Sequence, residues 1–150
     1  MSSQVSPCQH CGARFPQGSA CEEQFHISQI HEFEDPAYGA VHHLSVPSYM
    51  LQHNRYSRRG WLEVRALLHR FVFTGLTPQM ARRELAISAS STNRDWSLTK
   101  GEKLAGVEQI DWSLTMANVR LDSAAHYCSD VTDWARAVLL DSERLVGTAT

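Results

Sequence analysis

The chain has 150 residues, 43% of them hydrophobic and 20% charged, with a formal net charge of -2. That length suits one domain able to bury its own core, and the charge balance argues against a protein built to neutralise nucleic-acid phosphates. No leader-like basic and apolar segment opens the sequence, and no apolar run approaches the ~20 residues of a membrane helix. The expectation is a cytoplasmic protein with no membrane association. In that compartment the four cysteines read as ligands or buried thiols rather than disulfides. The short basic runs Arg58-Arg59 and Arg82-Arg83 read as solvated surface.

Residues 1–20 form an arm rich in Ser, Gln, Gly and Pro, interrupted by Cys8-Gln9-His10-Cys11-Gly12. A helical pattern follows from about Ala20 to Phe33. Asp35-Pro36 then supplies an N-cap and a first-turn proline, which predicts a second helix from Pro36 to about His53, with Pro47 as a possible break. Trp61, Val64, Leu68, Phe71 and Val72 mark a third helix that ends at Gly75, and Thr77-Pro78 opens a fourth running to about Ile87. The stretch from Ser88 to Leu114 is polar and irregular and carries the pentapeptide DWSLT twice, at 95–99 and 111–115. Two copies do not make a solenoid. Trp96 and Trp112 are expected to cover the core from this stretch. Thr115 is placed to cap a short helix containing Ala117 and Val119. A last long helix is expected from Asp122 or Ser123 to about Leu145, burying Val131, Trp134, Val138 and Leu139. The predicted class is mainly α: a compact bundle of about five helices, with a zinc-knuckle-like N-terminal arm and a long irregular loop at about 88–114. The expected organisation is a single domain, 1–150, divided into the Cys-containing arm at 1–20 and a helical body at 21–150.

Cys8-x-x-Cys11-Gly12 has half the geometry of a zinc knuckle: two thiolates two residues apart can hold one ion while the glycine lets the turn aim backbone N–H groups at sulfur. A closed tetrahedron needs two more ligands. If the helices on either side of Glu34-Asp35 pack antiparallel, Cys21 near the start of the first meets His53 near the end of the second. The preferred set is therefore Cys8, Cys11, Cys21 and His53, with Zn2+ as the cofactor. His26, four residues after Cys21, is the rival fourth ligand. A redox reading of the Cys-x-x-Cys pair lacks the strand-then-helix context of thioredoxin-like motifs.

The two helical faces echo each other. Cys21, Phe25, Ser28 and Glu32 share one face of the first helix; His42, Val46, Tyr49 and His53 share one face of the second if Pro47 keeps the register. On a straight helix the end groups stand ~16 Å apart, so His42 and His53 cannot bind one ion. Antiparallel packing puts Glu32 beside His42 at a second level. There the pair forms either a structural hydrogen bond or, with His126 from the start of the last helix, a catalytic site. His31, His43 and His69 are assigned to surface or general packing. No nucleophile elbow, glycine-rich phosphate loop, His-Glu-x-x-His pair or dinucleotide fingerprint occurs.

The order CxxCGA, CxxxF, EFxDPAY, VHxLxVxxYxLQH and AHYCSDVTDWARAV resembles an uncharacterised family of small bacterial proteins, a domain of unknown function, over most of the chain. The resemblance implies matching positions at Cys8, Cys11, Cys21, Glu32, Asp35, His42, Tyr49, Gln52, His53, His126 and Trp134. It favours His53 over His26 at the metal and His42 over His43 at the second level, while Pro47 departs from the pattern. The family carries no established activity. The expected function is a binding or adaptor module with a structural zinc and an unidentified protein or small-molecule partner. The alternative is a metal-dependent, hydrolase-like enzyme using Glu32, His42 and His126.

Overall fold

The computed structural model describes residues 6–15, 20–88 and 96–146, and every regular element among them is helical. The helices are α1 (Cys21–Glu34), α2 (Pro36–Gly39), α3 (His42–Gln52), α4 (Arg58–Phe73), α5 (Pro78–Ser88), α6 (Trp96–Thr99) and α7 (Ala124–Asp141). Tight 3-10 turns occur at Val107–Gln109, Met116–Asn118 and Glu143–Val146. Five of these helices have eleven residues or more, which agrees with the expected bundle. No described helix is long and apolar enough to cross a membrane.

Most helix starts follow from capping chemistry readable in the sequence. Asp35 accepts from the Ala37 N–H at 2.9 Å with Pro36 in the first turn, and Thr77 accepts from Met80 N–H at 3.1 Å ahead of Pro78. Ser57 and Ser123 likewise accept from Gly60 and His126. Thr115 and Asn118 exchange side-chain and backbone bonds across the short Met116–Asn118 turn. Each such bond satisfies a donor that the first helical turn leaves without an intrahelical partner.

Two expectations about the chain path are corrected. The second predicted helix is interrupted, but at Ala40–Val41 rather than at Pro47. Val41 is buried and its carbonyl accepts from both Leu44 and Ser45, so α3 starts there while α2 buries Tyr38. Pro47 sits in the middle of α3, and the helix continues through the missing N–H. The last helix ends at Asp141, short of Leu145. Arg65 of α4 takes up one of its C-terminal carbonyls, donating to Leu139 O at 2.6 Å and also to the Ser142 hydroxyl at 2.8 Å. A guanidinium at a helix C-terminus meets both the free carbonyls and the negative end of the dipole.

Arg65 also shows how the α4 stripe is turned: Gly60, Trp61, Arg65 and Leu68 are its buried residues, while Val64, Phe71 and Val72 are half-buried. Gly60 is required where α4 meets α6, because a Cβ there would lie 2.3 Å from the Leu98 carbonyl oxygen.

The core sits between α3, α4 and α7, around Leu51, Trp61, Leu68, Tyr127, Val131, Trp134 and Val138. Several of its polar atoms are paired, while the buried Trp112 indole N–H has no partner among the described residues. Trp134 donates to Gln52 Oε1, Gln52 in turn donates to the Leu114 carbonyl, and the Trp61 indole donates to Leu51 O. Val107, Trp112 and Met116 bring the long connection before α7 into this core. Trp112 thus covers the core as expected, whereas Asp95 and the Trp96 side chain lie outside the described residues. Cys11, Ala13 and Phe15 of the arm are also buried in the cluster. Apolar contacts therefore hold the arm as well as any ligand chemistry.

Candidate metal centre

α1 and α3 run antiparallel, and the pairing can be followed rung by rung. Cys21 meets His53, the Phe25 ring stacks on Tyr49 with centroids 3.9 Å apart, Gln29 reaches Ser45, and Glu32 meets His42. The register expected from helical spacing survives Pro47. Its two ends carry the two polar levels.

At the first level the arm closes over the helix ends. In the Cys8–Gly12 turn the Gly12 N–H donates to Cys8 O and the Cys8 N–H to Ala13 O, both at 2.9 Å. Gly12 has φ +80°, a left-handed conformation in which a side chain would be strained. The Ala13 N–H is directed at the Cys11 sulfur. This turn puts Cys8 and Cys11 next to Cys21, the first residue of α1.

His53 arrives from the other side. It is the C-cap of α3, followed by Asn54 in the left-handed region at φ 51°. The Arg55 N–H closes on Met50 O and the Asn54 N–H on Leu51 O, the paired bonds of a Schellman end. The His53 ring is buried, stacked against Tyr49 at 4.0 Å, and its Nδ1 lies 2.7 Å from Tyr49 O. A carbonyl has no proton to give, so Nδ1 is the donor and Nε2 is the ring nitrogen that faces the cysteines. A hydrogen bond of this kind is what orients metal-binding histidines.

The ligand atoms of Cys8, Cys11, Cys21 and His53 all lie within 4.8 Å of one another. Cys11 Sγ is 3.7 Å from Cys21 Sγ, and His53 Nε2 is 3.4 Å from Cys21 Sγ and 3.5 Å from Cys8 Sγ. A tetrahedron built on metal–sulfur bonds of about 2.3 Å and a metal–nitrogen bond of about 2.0 Å has edges of about 3.8 Å and about 3.5 Å. The observed edges match both. The four residues can therefore hold a metal ion, and all four are those selected from sequence.

Crowding also sets the protonation of the thiols. The hydrogen bond from Cys21 holds Cys11 down at about 4 against the burial that opposes it, and the same bond drives Cys21 well above the usual thiol range. A divalent ion held by these sulfurs would relieve the crowding of negative charge. A cavity of about 390 Å3 opens beside the cluster, with Cys8, Cys21 and His53 in its wall.

The second level is built differently. Glu32 is buried, and its carboxylate accepts from His42 Nδ1 at 2.7 Å, from Ser45 Oγ at 2.6 Å and from the Tyr127 hydroxyl. Burial, then the bond to Glu32, push the Tyr127 phenol upward, so it stays a donor. The His42 side chain is 64% exposed. Ser45 and Tyr127 went unremarked at the sequence level, although Ser45 lies one turn from His42 and Tyr127 adjoins His126.

His126 does not join Glu32 and His42 in a ligand group. It faces solvent and pairs with Asp122, one turn back on its own helix side, at 2.9 Å. His26 is exposed and lies 4.0 Å from Glu22, away from the cysteines. His43 packs edge-on against Phe71, His31 against Tyr38 and His69 against Phe73. Cys128 stands apart from the other thiols, donating to Ala37 O.

Fold and site together define a helical protein whose N-terminal arm brings a Cys3His cluster onto two antiparallel helices. The model of a family of unknown function, DUF5946, matches residues 6–143, and the chain belongs to that family. No curated protein and no solved structure matches it.

Proposed function

We propose that the chain binds one zinc ion through Cys8, Cys11, Cys21 and His53, and that this zinc is structural, fastening the arm to α1 and α3 in an intracellular binding or adaptor module. The observation that carries the reading is the cluster itself: four soft or borderline ligands within 4.8 Å of one another, three of their edges at tetrahedral length, with His53 Nε2 turned inward by the bond from Nδ1 to Tyr49 O. Three thiolates and one imidazole fill a tetrahedron, which suits a structural rather than an open catalytic zinc. Unpaired cysteines throughout the described residues fit a reducing compartment. Elemental analysis of protein purified without chelator tests the reading: about one zinc per chain is expected. A metal-free protein of unchanged stability would overturn it.

A second reading, an enzyme working at Glu32 and His42, is supported by one arrangement. A buried carboxylate orients an exposed imidazole through Nδ1, leaving Nε2 toward solvent as a proton acceptor. Because Glu32 already accepts from three donors, it orients His42 rather than binding an ion. A hydrolase of this kind loses turnover in His42→Gln at unchanged fold; equal rates on an ester panel would exclude it.

A further inference from the structure

The three cysteines of the cluster are not equivalent toward solvent. Cys11 and Cys21 are buried, at 5% and 8% exposure, whereas Cys8 is partly exposed. The cavity of about 390 Å3 makes the difference directional, since Cys8 and Cys21 stand in its wall with Ala20, Tyr49 and Arg55, and Cys11 does not. A zinc ion takes up little of that volume, and the remainder admits a molecule of several heavy atoms. Thiolate reactivity follows ionisation and access together. Bound to one ion, all three sulfurs would be thiolates, and exposure then singles out Cys8.

We propose that Cys8 is a modification site, the zinc-held thiolate that small hydroperoxides reach through this cavity, and that Cys21 resolves the product as a disulfide with release of the ion. The inference rests on the zinc reading above. In the first step the Cys8 sulfur attacks the nearer peroxide oxygen; the O–O bond breaks, the alcohol or water leaves with one proton, and Cys8 becomes a sulfenic acid. In the second, the Cys21 thiolate attacks the Cys8 sulfur, the S–O bond breaks, and hydroxide leaves as water with a second proton. Two thiolates are oxidised by two electrons and one peroxide is reduced. Cys21 Sγ lies within 4.8 Å of Cys8 Sγ, so side-chain rotation of the partly exposed Cys8 can bring them toward bonding distance. Cys11 and His53 remain as two ligands, half of what a closed site requires.

The rival outcome is a disulfide between Cys11 and Cys21, whose sulfurs are 3.7 Å apart but of which Cys11 is outside the cavity wall. The experiment treats zinc-loaded, full-length protein with hydrogen peroxide, follows the ion with a chromogenic chelator, and maps the oxidised cysteines by peptide mass. Release of the bound zinc with a Cys8–Cys21 disulfide is expected. One variant isolates the cause. Ala20→Phe narrows the cavity without replacing a ligand, and it is expected to keep zinc and slow its release by about tenfold. Zinc retained under excess peroxide, or released with Cys11–Cys21 paired and Cys8 free, would overturn the inference and leave the zinc reading standing. Protein that carries no zinc would overturn both.

Discussion

The two ends of the α1–α3 face use the same helical spacing and reach opposite solutions. At one end Cys21 and His53 leave their ligand atoms turned toward one another and toward two arm cysteines, with little else to satisfy them. At the other, Glu32 and His42 meet at 2.7 Å and the carboxylate is completed by Ser45 and Tyr127. Convergent sulfur and imidazole ligand atoms suit a cation. A carboxylate with three donors is complete without one. Polar residues at matching positions on paired helices therefore do not announce a metal; what surrounds them decides.

The largest expected effect tests the cysteine end. Cys11→Ser and His53→Ala should each abolish stoichiometric zinc, and chelation of the wild type should have the same consequence. Because structural zinc contributes directly to folding, a loss of about 3–5 kcal/mol is expected. That corresponds to a thermal midpoint lowered by about 10 °C or more for a domain of this size. Ala13 and Phe15 still hold the arm to the core, so a folded but destabilised body is expected rather than collapse of the whole chain. Calorimetry with and without chelator reads this directly.

Glu32→Ala comes next and tests the self-sufficient end. It strips the shared acceptor from the Tyr127 hydroxyl, the Ser45 hydroxyl and the His42 ring, two of them in the interior. Leaving buried donors unpaired costs about 1–3 kcal/mol apiece, so a loss of about 3 kcal/mol in denaturant unfolding is expected. Zinc content should be unchanged. Loss of zinc in Glu32→Ala would show that the two levels are one coupled unit. His42→Ala is milder, about 1 kcal/mol at most, because its ring is largely exposed and Glu32 keeps two donors.

Much of this was legible in the sequence because local chemistry fixed it. Asp35-Pro36, Thr77-Pro78, Thr115 and Ser123 act as caps where their side chains predict, and the eleven-residue spacing of Cys21 to Glu32 and of His42 to His53 carried through to the packed pair. What stayed hidden depended on distant partners. The break at Ala40–Val41 lets Tyr38 reach Leu121 and Tyr127, far along the chain, which no local propensity encodes. Arg65 ends α7 from another helix; its position on the α4 apolar stripe was the available clue. Tyr127 was overshadowed by its neighbour His126, since spacing shows that both lie on α7 but not which of them turns inward.

That last confusion gives the smallest prediction. On α7, Tyr127 and His126 are about 100° apart around the axis, so a helix packed on α3 can send only one of them to Glu32. Tyr127 is fully buried and takes that place, while His126 turns to Asp122 in the first turn. The α7 start does not need the imidazole, because Ser123 caps it through the His126 backbone N–H. His126→Ala should accordingly leave zinc content, helicity and the thermal midpoint unchanged within error. Tyr127→Phe, one residue away, should lower the midpoint by removing a buried donor from Glu32. A reversal of that order, with His126→Ala the more damaging of the two, would mean that His126 belongs to the Glu32 level after all and would revive the three-residue site.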